Sequence, residues 1–251
     1  MIRVQELCKV YGKQLAVDRL SFDVQPGEIL GLVGPNGAGK TTTLRALAGI
    51  IAPTSGTLSI EGFDVVKDPL EAKRRLAVIP DEPNLFESLT VWEHLDFTAH
   101  LYGVRPWVEP ANRLLVELEL HERRDTMADE LSHGMRQKVV VACALLHEPR
   151  ALLLDEPLTG LDPRGIRTLY TALRHRAEAG AAIIISSHLL GQIERLCTRF
   201  LILRSGQQLF YGSKEEIRAR LPALREDATL EEIFFEATEG NAGVTAAGDR
   251  S

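Results

Sequence analysis

The segment Gly34-Pro35-Asn36-Gly37-Ala38-Gly39-Lys40-Thr41 has the form G-x-x-x-x-G-K-T and sits between an apolar run, Ile29 to Val33, and a helix-like stretch, Thr42 to Ile50. A loop of this kind needs a buried strand before it and a helix behind it, so it commits the surrounding chain to an α/β architecture. Its glycines let the backbone approach an anion closely and turn several N–H groups inward, and the helix behind adds its positive dipole end. In such a loop Lys40 reaches the β- and γ-phosphates of a nucleoside triphosphate, and the Thr41 hydroxyl ligates Mg²⁺. A chance Gly-rich turn is the bland alternative, and the flanking strand and helix weigh against it.

The rest of the chain reads as a parallel core with additions. Residues 2–7 and 20–24 alternate apolar with polar residues, as half-buried antiparallel strands do. Thr57 to Ile60 and Ala77 to Ile79 are short strands. Helical spacing then takes over from about Leu89 to His147, broken by Gly103, Pro106 and Pro110. Continuous apolar runs return at Ala151 to Leu154 and Ala181 to Ile185, separated by a helix from about Arg164 to Glu178. Such runs joined by helices indicate a parallel sheet covered on both faces. The stretch after Gly240 is small and polar and reads as disordered.

Composition excludes several classes. Of 251 residues, 45% are apolar and 25% charged, as in an ordinary globular protein with a real core. The net charge of −6 argues against a basic nucleic-acid surface, and no nucleic-acid partner is expected. Cys8, Cys143 and Cys197 are too far apart to suggest a metal or disulfide pattern and read as reduced cytosolic thiols. No apolar stretch approaches the roughly 18 residues that span a bilayer, so the chain reads as cytoplasmic unless a partner holds it at a membrane.

Two further groups carry chemistry. Asp155 and Glu156 end the strand that starts at Ala151, at the edge of a parallel sheet that faces the phosphate loop. There Asp155 suits the Mg²⁺ shell, and Glu156 suits the general base that polarises the attacking water. Leu131-Ser132-His133-Gly134-Met135-Arg136-Gln137 precedes an apolar helix; Ser132 reads either as an N-cap or as part of a second anion site. Taken alone, capping is the better reading.

With these motifs in order, residues 1–215 resemble the ATP-binding subunit of ATP-binding-cassette (ABC) transporters. The resemblance implies a P-loop NTPase fold of the ABC ATPase type: an α/β domain with a mixed core sheet, an antiparallel β subdomain and a helical insertion at about 88–147. Residues 216–251 would be a C-terminal extension, helical to about 238. Gly34 to Thr42, with Pro35, Asn36, Gly37, Ala38, Gly39, Lys40 and Thr41, match the Walker A loop. Tyr11 matches the aromatic residue that stacks on adenine, and Asp155 with Glu156 match Walker B and its catalytic acid. Ser132 and Gly134 match the phosphate-contacting part of the signature, Gly160-Leu161-Asp162 the D-loop, and His188 the switch histidine that contacts the γ-phosphate. Singly, Tyr11 reads equally well as a strand-end tyrosine, and a lone histidine after a strand, such as His188, is usually structural.

Two departures stand out. His133 and Met135 replace a glycine and a glutamine of the common signature, and Asp81 stands where the family has a Mg²⁺- and water-binding glutamine. A carboxylate at position 81 can ligate Mg²⁺ but brings an extra negative charge near the triphosphate. The variants Pro80-Asp81-Glu82-Pro83-Asn84-Leu85-Phe86, Leu-Ser-His-Gly-Met and Leu230-Glu231-Glu232-Ile233-Phe234 are similar to single-cassette subunits of bacterial multidrug, polysaccharide or antibiotic exporters. The resemblance then implies ATP and Mg²⁺ as cofactors and a second ATPase subunit closing head to tail. It also implies a polytopic permease at the inner face of the membrane, docked near Asn84 to Leu89. A soluble cassette ATPase acting on nucleic acid or ribosomes is the competing class; such chains usually carry paired cassettes or basic arms, and this acidic chain has neither.

Overall fold

The computed structural model describes residues 1–239 apart from 222, 223 and 226, so the disorder expected beyond about 238 falls almost wholly outside the described residues. The chain opens with a hairpin, β1 (Ile2–Tyr11) and β2 (Gln14–Val24), both longer than the alternating stretches suggest. The alternation breaks because Glu6 and Arg19 take left-handed conformations, with φ of 51° and 44°, and shift the register. Val4 and Leu7 can therefore both point into the core. Next come β3 (Ile29–Val33), α1 (Lys40–Leu47), β4 (Ser55–Ile60) and β5 (Phe63–Asp64). They are followed by α2 (Pro69–Arg74) and β6 (Leu76–Ile79).

The inserted helices are α3 (Val91–Tyr102), α4 (Val108–Glu117) and α5 (His133–Leu146). Gly103 ends α3 at φ 68°. Pro110, expected as a breaker, instead lies in the first turn of α4, where its missing N–H has no intrahelical partner to lose. Trp92 and Trp107 pack with ring centres 4.8 Å apart and planes tilted by 40°, and the Arg124 guanidinium lies 3.9 Å from the centre of the Trp92 ring.

The remaining elements are β7 (Ala151–Asp155), α6 (Pro163–Glu178), β8 (Ala182–Ser186) and α7 (Leu190–Ile193). The chain then runs through β9 (Arg199–Arg204), β10 (Gln207–Gly212), α8 (Lys214–Ala219) and α9 (Leu230–Glu239). A four-stranded antiparallel sheet has the order β2-β1-β4-β5, and a six-stranded sheet has the order β10-β9-β3-β8-β7-β6. All of the second sheet is parallel except its β10 edge.

Alternate residues of the parallel strands enter different cores. Val33, Leu152, Leu154, Ile183 and Ile185 pack with the inserted helices and α6. Leu32, Leu153, Ile184 and Leu201 face α1 and the antiparallel sheet. Burial on both faces is why the middles of these strands are continuously apolar, with polar residues only at their ends. Leu230 and Ile233 of α9 enter the first core, and the Leu230 amide donates to Glu194 at 3.2 Å. A division at 215 therefore falls within α8, and α9 beyond it is packed on the body. Residues 220–229, as far as described, are not helical.

Candidate functional site

Leaving β3, the chain turns through Gly34 to Gly39 into α1. A side chain at Gly34 has no room, because its Cβ would stand 2.6 Å from the Leu203 carbonyl oxygen. Gly39 holds φ 103° at the N-cap, so α1 starts without a side-chain cap and without an acid in its first turn. The opening amides of α1 are thus left for another acceptor. Lys40 is only 8% exposed, and its ammonium donates to the carbonyls of Gly34 (2.6 Å) and Pro35 (3.3 Å). Burial lowers its pKa from the ordinary lysine value, while the charges of Glu156 and Asp155 oppose the shift.

The acidic edge comes from β7. Asp155 accepts a hydrogen bond from the Ser186 hydroxyl, opposite it in the register of β7 with β8. Glu156 takes a left-handed conformation at φ 46°, and its amide donates to the Ser186 carbonyl at 3.1 Å. That turn aims the Glu156 carboxylate at His188, whose Nδ1 lies 2.9 Å from Oε2 and whose amide donates to the same oxygen at 3.3 Å. With a carboxylate as acceptor, Nδ1 carries the proton. Asp81 has its pKa raised, first by partial burial and then by Asp155, Glu156 and Glu82, with His188 pulling the other way.

A cleft of about 380 Å³ gathers Tyr11, Asn36, Gly37, Ala38, Gly39, Lys40, Thr41, Thr42, Asp81, Asp155 and Glu156. Gly34 and Pro35 hold Lys40 from behind, and His188 joins through Glu156. Tyr11 is 46% exposed at the end of β1, with the Lys9 ammonium 4.9 Å from its ring centre. Ser132 and Gly134 do not line this cleft. They open α5, where the Ser132 hydroxyl accepts from the Met135 amide at 3.4 Å. Motif reading missed Gln14 and Ala16, which also line the cleft, and Ser186. Ser186 had a signal: it is the polar residue that ends the apolar run of β8.

The cleft suits a polyanion, because the uncapped start of α1 and a buried cation both face it. Among the described residues no group of three or more His, Cys, Asp or Glu side chains is arranged to hold a metal. A Mg²⁺ ion here therefore needs ligand oxygens from a bound nucleotide besides those of the protein.

Comparison with known proteins agrees. The ABC transporter family matches residues 17–159. The ABC-type transporter ATP-binding protein EcsA of Bacillus subtilis is 34% identical over 245 residues, covering 97% of this chain and 98% of that one. The Nod factor export ATP-binding protein I of Cupriavidus metallidurans is 36% identical over 219 residues, 86% of this chain and 72% of its own length. A solved ATP-binding subunit of an ABC transporter superposes with a TM-score of 0.91 at 35% identity, over 95% of this chain and 100% of its own. With this likeness over nearly the whole chain and a cleft lined by the phosphate loop and the acidic sheet edge, the chain belongs to the ABC transporter family, as an ATP-binding subunit that hydrolyses ATP to drive transport.

Proposed function

We propose that the chain is the motor subunit of an exporter, and that the residues gathered in the cleft bind MgATP and hydrolyse it. The observation that carries this is the meeting, in one cleft, of the uncapped start of α1 and Lys40 with Asp155 and Glu156. Tyr11 offers its ring to the base, and Gly34 to Thr42 with Lys40 take the phosphates. Thr41 and Asp155, with Asp81 as a further carboxylate, would hold Mg²⁺, which supplies charge neutralisation on the phosphates. Ser186 keeps Asp155 oriented. Glu156 takes the proton of the attacking water, and His188 steadies that carboxylate and stands ready to meet the terminal phosphate.

Ser132 and Gly134 lie outside their own chain's cleft, which favours a head-to-tail homodimer in which they complete the partner's site. We read residues 1–215 as the ATPase unit, with the insertion at 88–147 carrying that second half-site, and 216–251 as an extension. A membrane permease would receive the force. No helix among the described residues is long and apolar enough to cross a membrane, so a cytoplasmic position at the inner face would depend on that permease. The export direction is supported by the likeness to a Nod factor export subunit. The net charge of −6 fits a motor with no nucleic-acid partner.

The test is Glu156→Gln. It is expected to keep ATP affinity, to lower turnover by roughly 10²-fold or more, and to accumulate an ATP-bound dimer on size exclusion. Hydrolysis at the wild-type rate removes Glu156 as the base.

A further inference from the structure

His133 is one of the two signature departures, and the structure gives it a neighbour. A Cβ built on Gly160 would lie 2.4 Å from Cδ2 and 2.8 Å from Nε2 of His133, so the imidazole covers that glycine directly. Gly160 holds φ 74°, a conformation that disfavours a side chain, and an added Cβ would have to displace the imidazole. Next to this contact, a Cβ on Gly134 would stand 3.4 Å from the Gly160 carbonyl oxygen and 3.5 Å from Leu161 Cδ2. The first turn of α5 is therefore seated on the loop 158–162.

That loop is tied at both ends. The Thr159 amide donates to the Glu156 carbonyl at 3.1 Å, so Gly160 follows directly from the turn that aims the Glu156 carboxylate. At the other end Asp162 caps α6, accepting from the Gly165 amide at 2.7 Å. A short path runs from Glu156 through Gly160 and the His133 ring to Ser132. A glycine at position 133 would leave that junction to the approach of Gly134 alone.

We propose that His133 is a positioning residue that locks the Ser132–Gly134 turn onto the loop behind Glu156, keeping the half-site a subunit lends to its partner in step with the half-site it retains. The inference rests on the head-to-tail reading above. His133 does not line the cleft that holds Lys40 and Glu156; its effect would pass through the backbone of Gly160. Loss of the ring should leave nucleotide binding to the single chain unchanged and should misplace Ser132 relative to Glu156 when two chains close.

The experiment compares His133→Gly, His133→Gln, Gly160→Ala and the double variant His133→Gly/Gly160→Ala in the full chain. ATP affinity is read by calorimetry, and turnover and its ATP dependence by phosphate release. Position 133 is exposed, so its variants should fold as the wild type does. His133→Gly is expected to lower kcat by about tenfold with ATP affinity unchanged, and His133→Gln, which keeps a flat group over Gly160, to recover most of it. Gly160→Ala should cost more turnover in the wild-type background than in the His133→Gly background, because the nearest atoms to the new methyl belong to the ring; the backbone strain is common to both. Unchanged kcat in His133→Gly, or equal costs of Gly160→Ala in the two backgrounds, overturns the proposal. Failure of the head-to-tail reading shows separately, as an ATP-bound Glu156→Gln chain that stays monomeric.

Discussion

At the scale of single residues, the site holds charges that the fold alone does not favour. Lys40 is buried with its charge turned onto two backbone carbonyls, an arrangement that a triphosphate can replace with stronger partners. Lys40→Ala is expected to abolish ATP binding in calorimetry while the protein stays folded; retained affinity would show that the loop amides suffice. Asp81 carries the opposite problem. Its raised pKa means that the folded state binds the proton more tightly than the unfolded chain does. That contribution to stability is complete below the ordinary aspartate value of 3.8 and is lost as pH rises through the raised value. At pH 7 the ionised carboxylate therefore costs stability. Asp81→Asn, free of nucleotide and metal, should melt at a higher temperature than the wild type at pH 7, with the gain shrinking toward pH 4. A gain independent of pH would mean that charge is not its cause.

At the scale of elements, legibility followed burial pattern. The strands β3, β7 and β8 could be read because both of their faces are covered, leaving unbroken apolar runs. The phosphate loop and Asp155-Glu156 could be read because their chemistry demands fixed spacing. β9 went unread although Phe200 to Leu203 is as apolar as β7, and β10 went unread because Gln207 and Gln208 belong to a half-exposed edge. The missed clue was the dipeptide Ser205-Gly206, whose φ values of 49° and 79° are those of a two-residue hairpin turn. The short α2 was also unread: six residues with one buried alanine carry no periodic signal. The mutual placement of Ser132 and the cleft is tertiary, and no local pattern encodes it.

The stretch before α3 divides by exposure. Leu85 packs against the core, whereas Phe86 is 57% exposed, edge-on to Phe97 at 5.6 Å and stacked on His94 at 6.0 Å. Its amide donates to His94 Nε2 at 3.0 Å, so the ring is held outward by a fixed backbone. An apolar ring presented this way suits an amphipathic helix of the permease. Phe86→Ala should leave basal ATP hydrolysis unchanged and weaken co-purification with the permease. Equal recovery of mutant and wild type would remove Phe86 from the docking surface.

For the whole molecule, in the proposed head-to-tail dimer the insertion and the sheet edge each carry half of a composite site, so turnover would depend on how the inserted helices sit against the body. The tryptophan pair in that insertion makes this measurable without a label. Trp92 and Trp107 are the chain's two tryptophans, and a guanidinium lies over one of them. Emission excited at the red edge, where tyrosine does not absorb, comes from these two rings alone and is thus a built-in optical reporter of the insertion, silent about Tyr11 and Tyr211 in the sheets. Adding MgATP to the Glu156→Gln chain should change the intensity or wavelength of that emission, and Trp107→Phe should leave a single emitter that still responds. Superimposable spectra with and without nucleotide would mean that the surroundings of the pair do not change when the dimer closes.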